Sequence, residues 1–132
     1  MASERAERLA ALADVWNRGD VDGFLDGFAP EVVFTPDPSF PDARQMTGEE
    51  LRSWMHQWAD MWAGSDLEVV ELEDHGSAAT VRARWHLRPA DSELELPVAD
   101  FTFVVWFDDA DRPVRSAAFF DHEQALRAIV SH

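Results

Sequence analysis

The sequence predicts an α+β fold in which helices come first and most of a curved antiparallel sheet follows. Three observations carry this. Leu9, Leu12, Ala13 and Trp16, and then Leu51, Trp54, Met55, Trp58, Met61 and Trp62, recur at the 3.6-residue spacing of a helix. Residues 67–72, 79–88, 94–107 and 114–120 are β-rich and separated by short turn-forming stretches, which implies antiparallel pairing. Helical spacing then returns once, at the end of the chain. With 132 residues and 46% hydrophobic content, the chain has material for one domain around one sizeable core.

Each element has a local cause. The first helix starts near residue 3 and stops at Asn17-Arg18-Gly19, with glycine placed to reverse the backbone. Asp20 caps a shorter second helix that carries Phe24, Leu25 and Phe28 and ends by Pro30, after which Val32-Val33-Phe34 reads as a strand. Three prolines within residues 36–41 force an extended loop placed to overhang its surroundings. Thr47 and Glu50 have capping-box spacing and start the third helix, which runs to about Ala63, with Gly64 marking its end. Asp121 and Gln124 form a second cap-like pair before Ala125, Leu126, Ile129 and Val130, a closing helix of about two turns.

The third helix carries an unusually bulky stripe. Flat indoles leave gaps that are hard to fill to crystal-like density, so the stripe reads as one wall of an apolar pocket. A tryptophan-rich core without a hollow is the alternative. The formal net charge of −15, from 26 acidic residues against 11 Lys and Arg, disfavours nucleic acid and anionic membrane as partners. Asp108-Asp109-Ala110-Asp111 reads as a solvated turn, because it lacks the glycine-centred loop of a calcium site. Without cysteine there is neither a disulfide nor a thiolate metal site. His56 lies off the aromatic stripe, His75 in a turn and His132 at the terminus, so no metal and no cofactor is expected. No apolar leader or membrane-length stretch is evident, and a cytoplasmic protein is the expectation.

Four stretches, Trp16-Asn17-Arg18-Gly19-Asp20, residues 28–34, Gly48-Glu49-Glu50-Leu51 and residues 119–126, together resemble the NTF2-like superfamily, specifically its SnoaL-like branch. The resemblance covers nearly the whole chain. It implies a cone-shaped α+β barrel whose sheet wraps the N-terminal helices, with a short C-terminal helix and a pocket open at one end. Trp16, Phe34, Trp54, Met55, Trp58, Trp62, Phe101, Phe103 and Phe120 are the residues expected to line that pocket around a small hydrophobic molecule. It also implies a homodimer through the outer face of the sheet. Thr102, Val104 and Trp106 alternate with Phe101, Phe103 and Val105, so the strand is apolar on both faces, and a second subunit would cover the outer one.

The enzymes that the fold resembles set residue-by-residue tests. Ketosteroid isomerases place a tyrosine, a carboxylate base and a protonated aspartate where this chain has Leu12, Pro36 and Phe103, and the chain contains no tyrosine, which excludes that mechanism. Asp37 follows the base position and is a candidate in its place, although capping is its commoner use. Limonene-epoxide-hydrolase-like enzymes set an arginine between two aspartates. Here Arg84 and His86 resemble one side of that arrangement, and Ala118 stands at the other aspartate. Alternation sends Arg84 and His86 to the same face, either inward as a base and oxyanion donor or outward among acids. Asp121-His122 resembles the Asp and His of SnoaL-type cyclases, but Asp121 has a helix to cap. The catalytic candidates are therefore Asp37, Arg84 and His86. Three functions stay open: a cofactor-independent enzyme for proton transfer, cyclisation or hydrolysis, a ligand-binding module, or an accessory dimer with a filled pocket.

Overall fold

Gly19, at φ +81°, turns the chain out of helix α1 (Glu4–Asn17) as its spacing predicts, and Asp20 Oδ1 accepts the Gly23 N–H at 2.8 Å to cap α2 (Val21–Asp26). The computed structural model describes residues 4–39, 44–60, 62–89 and 99–131, with 62–65, 87–89, 99 and 131 described by backbone alone. Helix α2 stops at Asp26, short of Pro30, because Gly27 and Phe28 bond three residues back, to Phe24 and Leu25. A Cβ on Gly27 would stand 2.2 Å from Leu12 Cδ2, so this position also sets how closely α2 packs on α1.

After β1 (Val33–Thr35) and a two-residue strand, β2 (Met46–Thr47), comes α3 (Gly48–Asp60). Glu50, expected to cap this helix with Thr47, has its Oε2 accept from Arg44 at 2.9 Å. The helical reading of residues 61–63 gives way: Met61 lies outside the described residues, and Trp62 opens β3 (Trp62–Asp74). Pairing explains the difference. Strand β4 (Ala78–Pro89) runs back along β3 from Asp74↔Ala79 to Trp62↔Pro89, and that ladder claims residues whose side-chain spacing alone suits a helix. Register shifts at Trp62/Gly64 and Val69/Glu71 bend β3.

Strands β5 (Ala99–Phe107) and β6 (Pro113–Phe119) complete a sheet of order β2-β1-β6-β5-β4-β3. The predicted strand over 94–107 is seen from Ala99 onward; residues 94–98 lie outside the described residues. The four long strands are antiparallel as predicted, but β1 runs parallel to β6, so the sheet is mixed. Nothing constrains β1 to a hairpin with β6, since α3 and four strands intervene. With β2 and β3 at its edges, the sheet is curved and not closed.

The outer face is covered by the end of the chain. Helix α4 (His122–Ser131), capped by Asp121 through the Glu123 N–H at 2.9 Å, lays Ala125, Ala128 and Ile129 over Val104, Trp106 and Ala117. Val104 and Thr102 are 0% and 2% exposed in the single chain, and His122 Nδ1 sits 2.9 Å from the Thr102 hydroxyl. The second apolar face of β5 is therefore covered from within the chain. Helix α4 is long enough to bury Val104, Trp106 and Ala117 without a second subunit.

On the inner face, α1, α2 and α3 pack against two neighbouring clusters. At one end Leu9 and Leu12 meet Ala79, Val81 and Val105. Arg5 closes this end: it stacks on Phe107 at 4.3 Å and donates to Asp111 at 2.7 Å, Asp74 at 3.2 Å and the Gly76 carbonyl at 2.6 Å. The other end is aromatic.

Candidate ligand pocket

The aromatic end is organised around Trp85, which alternation along β4 directs inward with Val81 and Ala83. Its ring lies 6.0 Å from Trp16, 5.3 Å from Trp58, 5.3 Å from Phe101 and 6.3 Å from Phe103. Helix α3 presents Trp54 and Trp58, stacked at 6.0 Å, and Phe34 of β1 reaches Trp54 at 5.7 Å. On the helical side Trp16 is edge-on to Phe24, and Phe24 to Phe28. Asn17 anchors this corner by two hydrogen bonds to Leu67, its amide donating to the carbonyl at 2.9 Å and its oxygen accepting from the N–H at 2.7 Å.

Rings at these centroid distances attract each other, but their flat outlines do not tile space. The result is a hollow of about 80 Å³ enclosed by Trp16, Phe24, Phe28, Phe34, Trp54, Trp58, Trp85, Phe101 and Phe103, with Leu25, Val32, Pro36, Leu51, Met55, Leu67, Ser116 and Ala118 between them. It is smaller than the ~150 Å³ apolar cavity known to hold benzene and well below the ~300 Å³ where drug-sized sites begin. Ser116 supplies one hydroxyl, and among the described residues none that lines the hollow is ionisable. Beyond Leu25, Phe28, Val32 and Leu51, which serve both, lies a more polar cleft of about 300 Å³ between α2 and the start of α3. Across it Arg52 pairs with Asp22 and Asp26, and His56 with Asp22.

Of the residues predicted to line the pocket, Trp16, Phe34, Trp54, Met55, Trp58, Phe101 and Phe103 come together around the hollow. Phe120 does not line it. Its ring is 44% exposed and backs onto Phe101 at 4.5 Å. The side chain of Trp62 lies outside the described residues. Sequence reasoning missed Trp85, although the alternation that groups it away from Arg84 and His86 was the available signal. It also missed Phe24 and Phe28, whose helix carried them as ordinary core.

The geometry places the three catalytic candidates elsewhere. Arg84 donates to Asp100 at 3.1 Å and His86 sits 2.9 Å from Glu68, all on the outer, solvated face. Of the two orientations the sequence allowed, the structure takes the outward one, because inward space at that strand level belongs to Trp85. Asp37 is buried beside the hollow without lining it. Its Oδ1 accepts the Ser39 N–H and its Oδ2 the Phe120 N–H, both at 2.8 Å, tying the proline loop to the end of β6. Burial pushes its carboxyl up, but the hydrogen bonds from Ser39 and Phe120 outweigh that and hold it below the ordinary carboxylate range. An acceptor so engaged is poorly placed to take a proton from a guest. Among the described residues no group of His, Asp or Glu could hold a metal ion.

Residues 9–115 match the model of a SnoaL-like domain family. No curated protein matches the chain in sequence. Among solved structures, an NTF2-like protein of unknown function from Burkholderia pseudomallei K96243 superposes with a TM-score of 0.77 at 18% identity, covering 96% of this chain and 97% of its own. TerC, co-crystallised with polyporic acid, gives a TM-score of 0.76 at 16% identity over 98% of this chain and 100% of its own. A protein of ketosteroid isomerase-like fold from Catenulispora acidiphila DSM 44928, in complex with trimethylamine, gives 0.74 at 13% identity over 92% and 90%. Identities at this level establish a shared fold.

Proposed function

The chain belongs to the SnoaL-like domain family, and from that premise we propose that it binds a compact hydrophobic molecule in the aromatic hollow, as a binding module and not as an acid–base enzyme. The observation that carries the reading is the lining itself. Nine rings, with no ionisable side chain among the described lining residues, can desolvate a guest and hold it, but cannot move its protons. Two proteins of the same fold hold small molecules, trimethylamine in one and polyporic acid in the other, which supports a ligand-bearing use of the scaffold. The volume favours a guest of few heavy atoms, and larger molecules would need the rings to swing aside. A net charge of −15 keeps nucleic acid and anionic lipid out of consideration, and no described helix is long and apolar enough to cross a membrane.

Trp16, Trp54, Trp58 and Trp85 surround the hollow, so intrinsic fluorescence reads occupancy directly. Titration with benzene is expected to change the emission, and Ala118→Leu, which projects into the space, is expected to abolish the change. An emission unaffected by benzene in a folded protein would overturn the assignment.

A further inference from the structure

We propose that the hollow selects a compact methylated ammonium ion, with the indole faces as its cage and the buried carboxylate of Asp37 as its counter-charge. This rests on the reading of the hollow as a binding site and specifies what it binds. Four observations lead to it. Asp37 is the one charged residue among the buried groups of the described chain, and it has no cationic partner there: its hydrogen bonds come from the Ser39 and Phe120 N–H groups and from the Ser39 side chain. Buried and held ionised by those hydrogen bonds, it carries a negative charge that no cationic side chain among the described residues neutralises. It is next in sequence to Pro36, which lines the hollow, and bonded to the N–H of Phe120, whose ring packs on Phe101 of the wall.

The second observation is the wall chemistry. Aliphatic side chains would wall an apolar hollow as well as indoles do, but indoles present a negative π-face and bind cations best of the aromatic side chains. The third is the absence of competition, since no Lys, Arg or His is among the described lining residues. The fourth is size and field. About 80 Å³ suits a trimethylammonium head better than a fused ring system, and a protein of net charge −15 concentrates cations around itself. Methylated ammonium ions are less costly to dehydrate than ammonium, which makes burial against rings feasible.

The test compares choline with its uncharged isostere, 3,3-dimethyl-1-butanol, by tryptophan fluorescence and calorimetry at fixed ionic strength, with sodium chloride as the blank. Choline is expected to bind about tenfold more tightly than the isostere. Asp37→Asn is expected to erode that preference about threefold or more, and Trp54→Leu to weaken choline more than the isostere; the two variants keep the test open should either fail to fold. Equal or tighter binding of the isostere would overturn the cation assignment and leave the binding module standing. If choline fails while benzene binds, the same conclusion follows. If neither choline, isostere nor benzene is bound by the folded protein, both readings fall.

Discussion

The two ends of the inner sheet face are built by the same helices over the same strands, yet one is solid and the other hollow. At the solid end Leu9 and Leu12 interlock with Ala79, Val81 and Val105, side chains small and branched enough to fit between one another. At the hollow end the same strands offer Trp85, Phe101 and Phe103, and the helices answer with Trp16, Trp54 and Trp58. Each of these rings contributes more apolar area than a leucine, but a rigid plate cannot follow its neighbour's contour. The contrast teaches that the cavity is a property of side-chain shape and not of backbone architecture: one fold accommodates a packed core and a vacancy a few residues apart.

This contrast can be broken most sharply at Leu12. Leu12→Ala removes atoms from a site with no slack, and denaturant unfolding is expected to show a loss of about 2–5 kcal/mol while benzene titration of the folded protein stays unchanged. Asp37→Ala comes next, at about 1–3 kcal/mol, because the Ser39 and Phe120 N–H groups lose their acceptor. The pH dependence follows from the direction of its shift. The folded-state carboxyl titrates below the ordinary 3.8, so its stabilisation is complete above that value and fades as the pH falls through the lower, folded value. Acid unfolding curves of Asp37→Asn are expected to be flatter in that window than those of the parent.

A matched pair of substitutions sharpens the same comparison. Ala79 and Ala118 both point inward and are 2% and 4% exposed, but Ala79 sits in the packed cluster and Ala118 on the hollow. Ala79→Leu is expected to cost about 1–3 kcal/mol through overpacking, whereas Ala118→Leu has room and should stay within about 1 kcal/mol of the parent. Equal costs would mean that the void is already filled. The smallest effect belongs to the outer face: His86→Ala, which removes an exposed pair with Glu68, is expected to change unfolding free energy by no more than about 0.5 kcal/mol and ligand titrations not at all.

How much of this could be read beforehand differs by level. Helix α1, the Gly19 stop, the Asp20 and Asp121 caps and the antiparallel run β3 to β6 follow from local chemistry, and local chemistry is what a sequence displays. The start of β3 and the parallel pairing of β1 with β6 depend on partners far along the chain, which periodicity does not contain. In the pocket, seven of the expected lining residues were legible because apolar spacing on α1, β1, α3 and β5 points them to one place. Trp85 was hidden by its neighbours: Arg84 and His86 drew attention to the chemistry of the strand while alternation was pointing the indole, not them, inward. Asp37 was visible as a candidate, but its burial and its grip on the Phe120 amide required the fold.

Arg5, finally, sets a constraint in time. Its partners lie 69, 71 and 106 residues further along, in the two turns that join β3 to β4 and β5 to β6. The first turn of the first helix therefore waits for nearly the last hairpin before it is fixed, and closing such long loops is what slows collapse to a native arrangement. A chain emerging amino end first would finish its opening helix early and secure it late, with the indoles of the sheet already gathered before the far end is fastened.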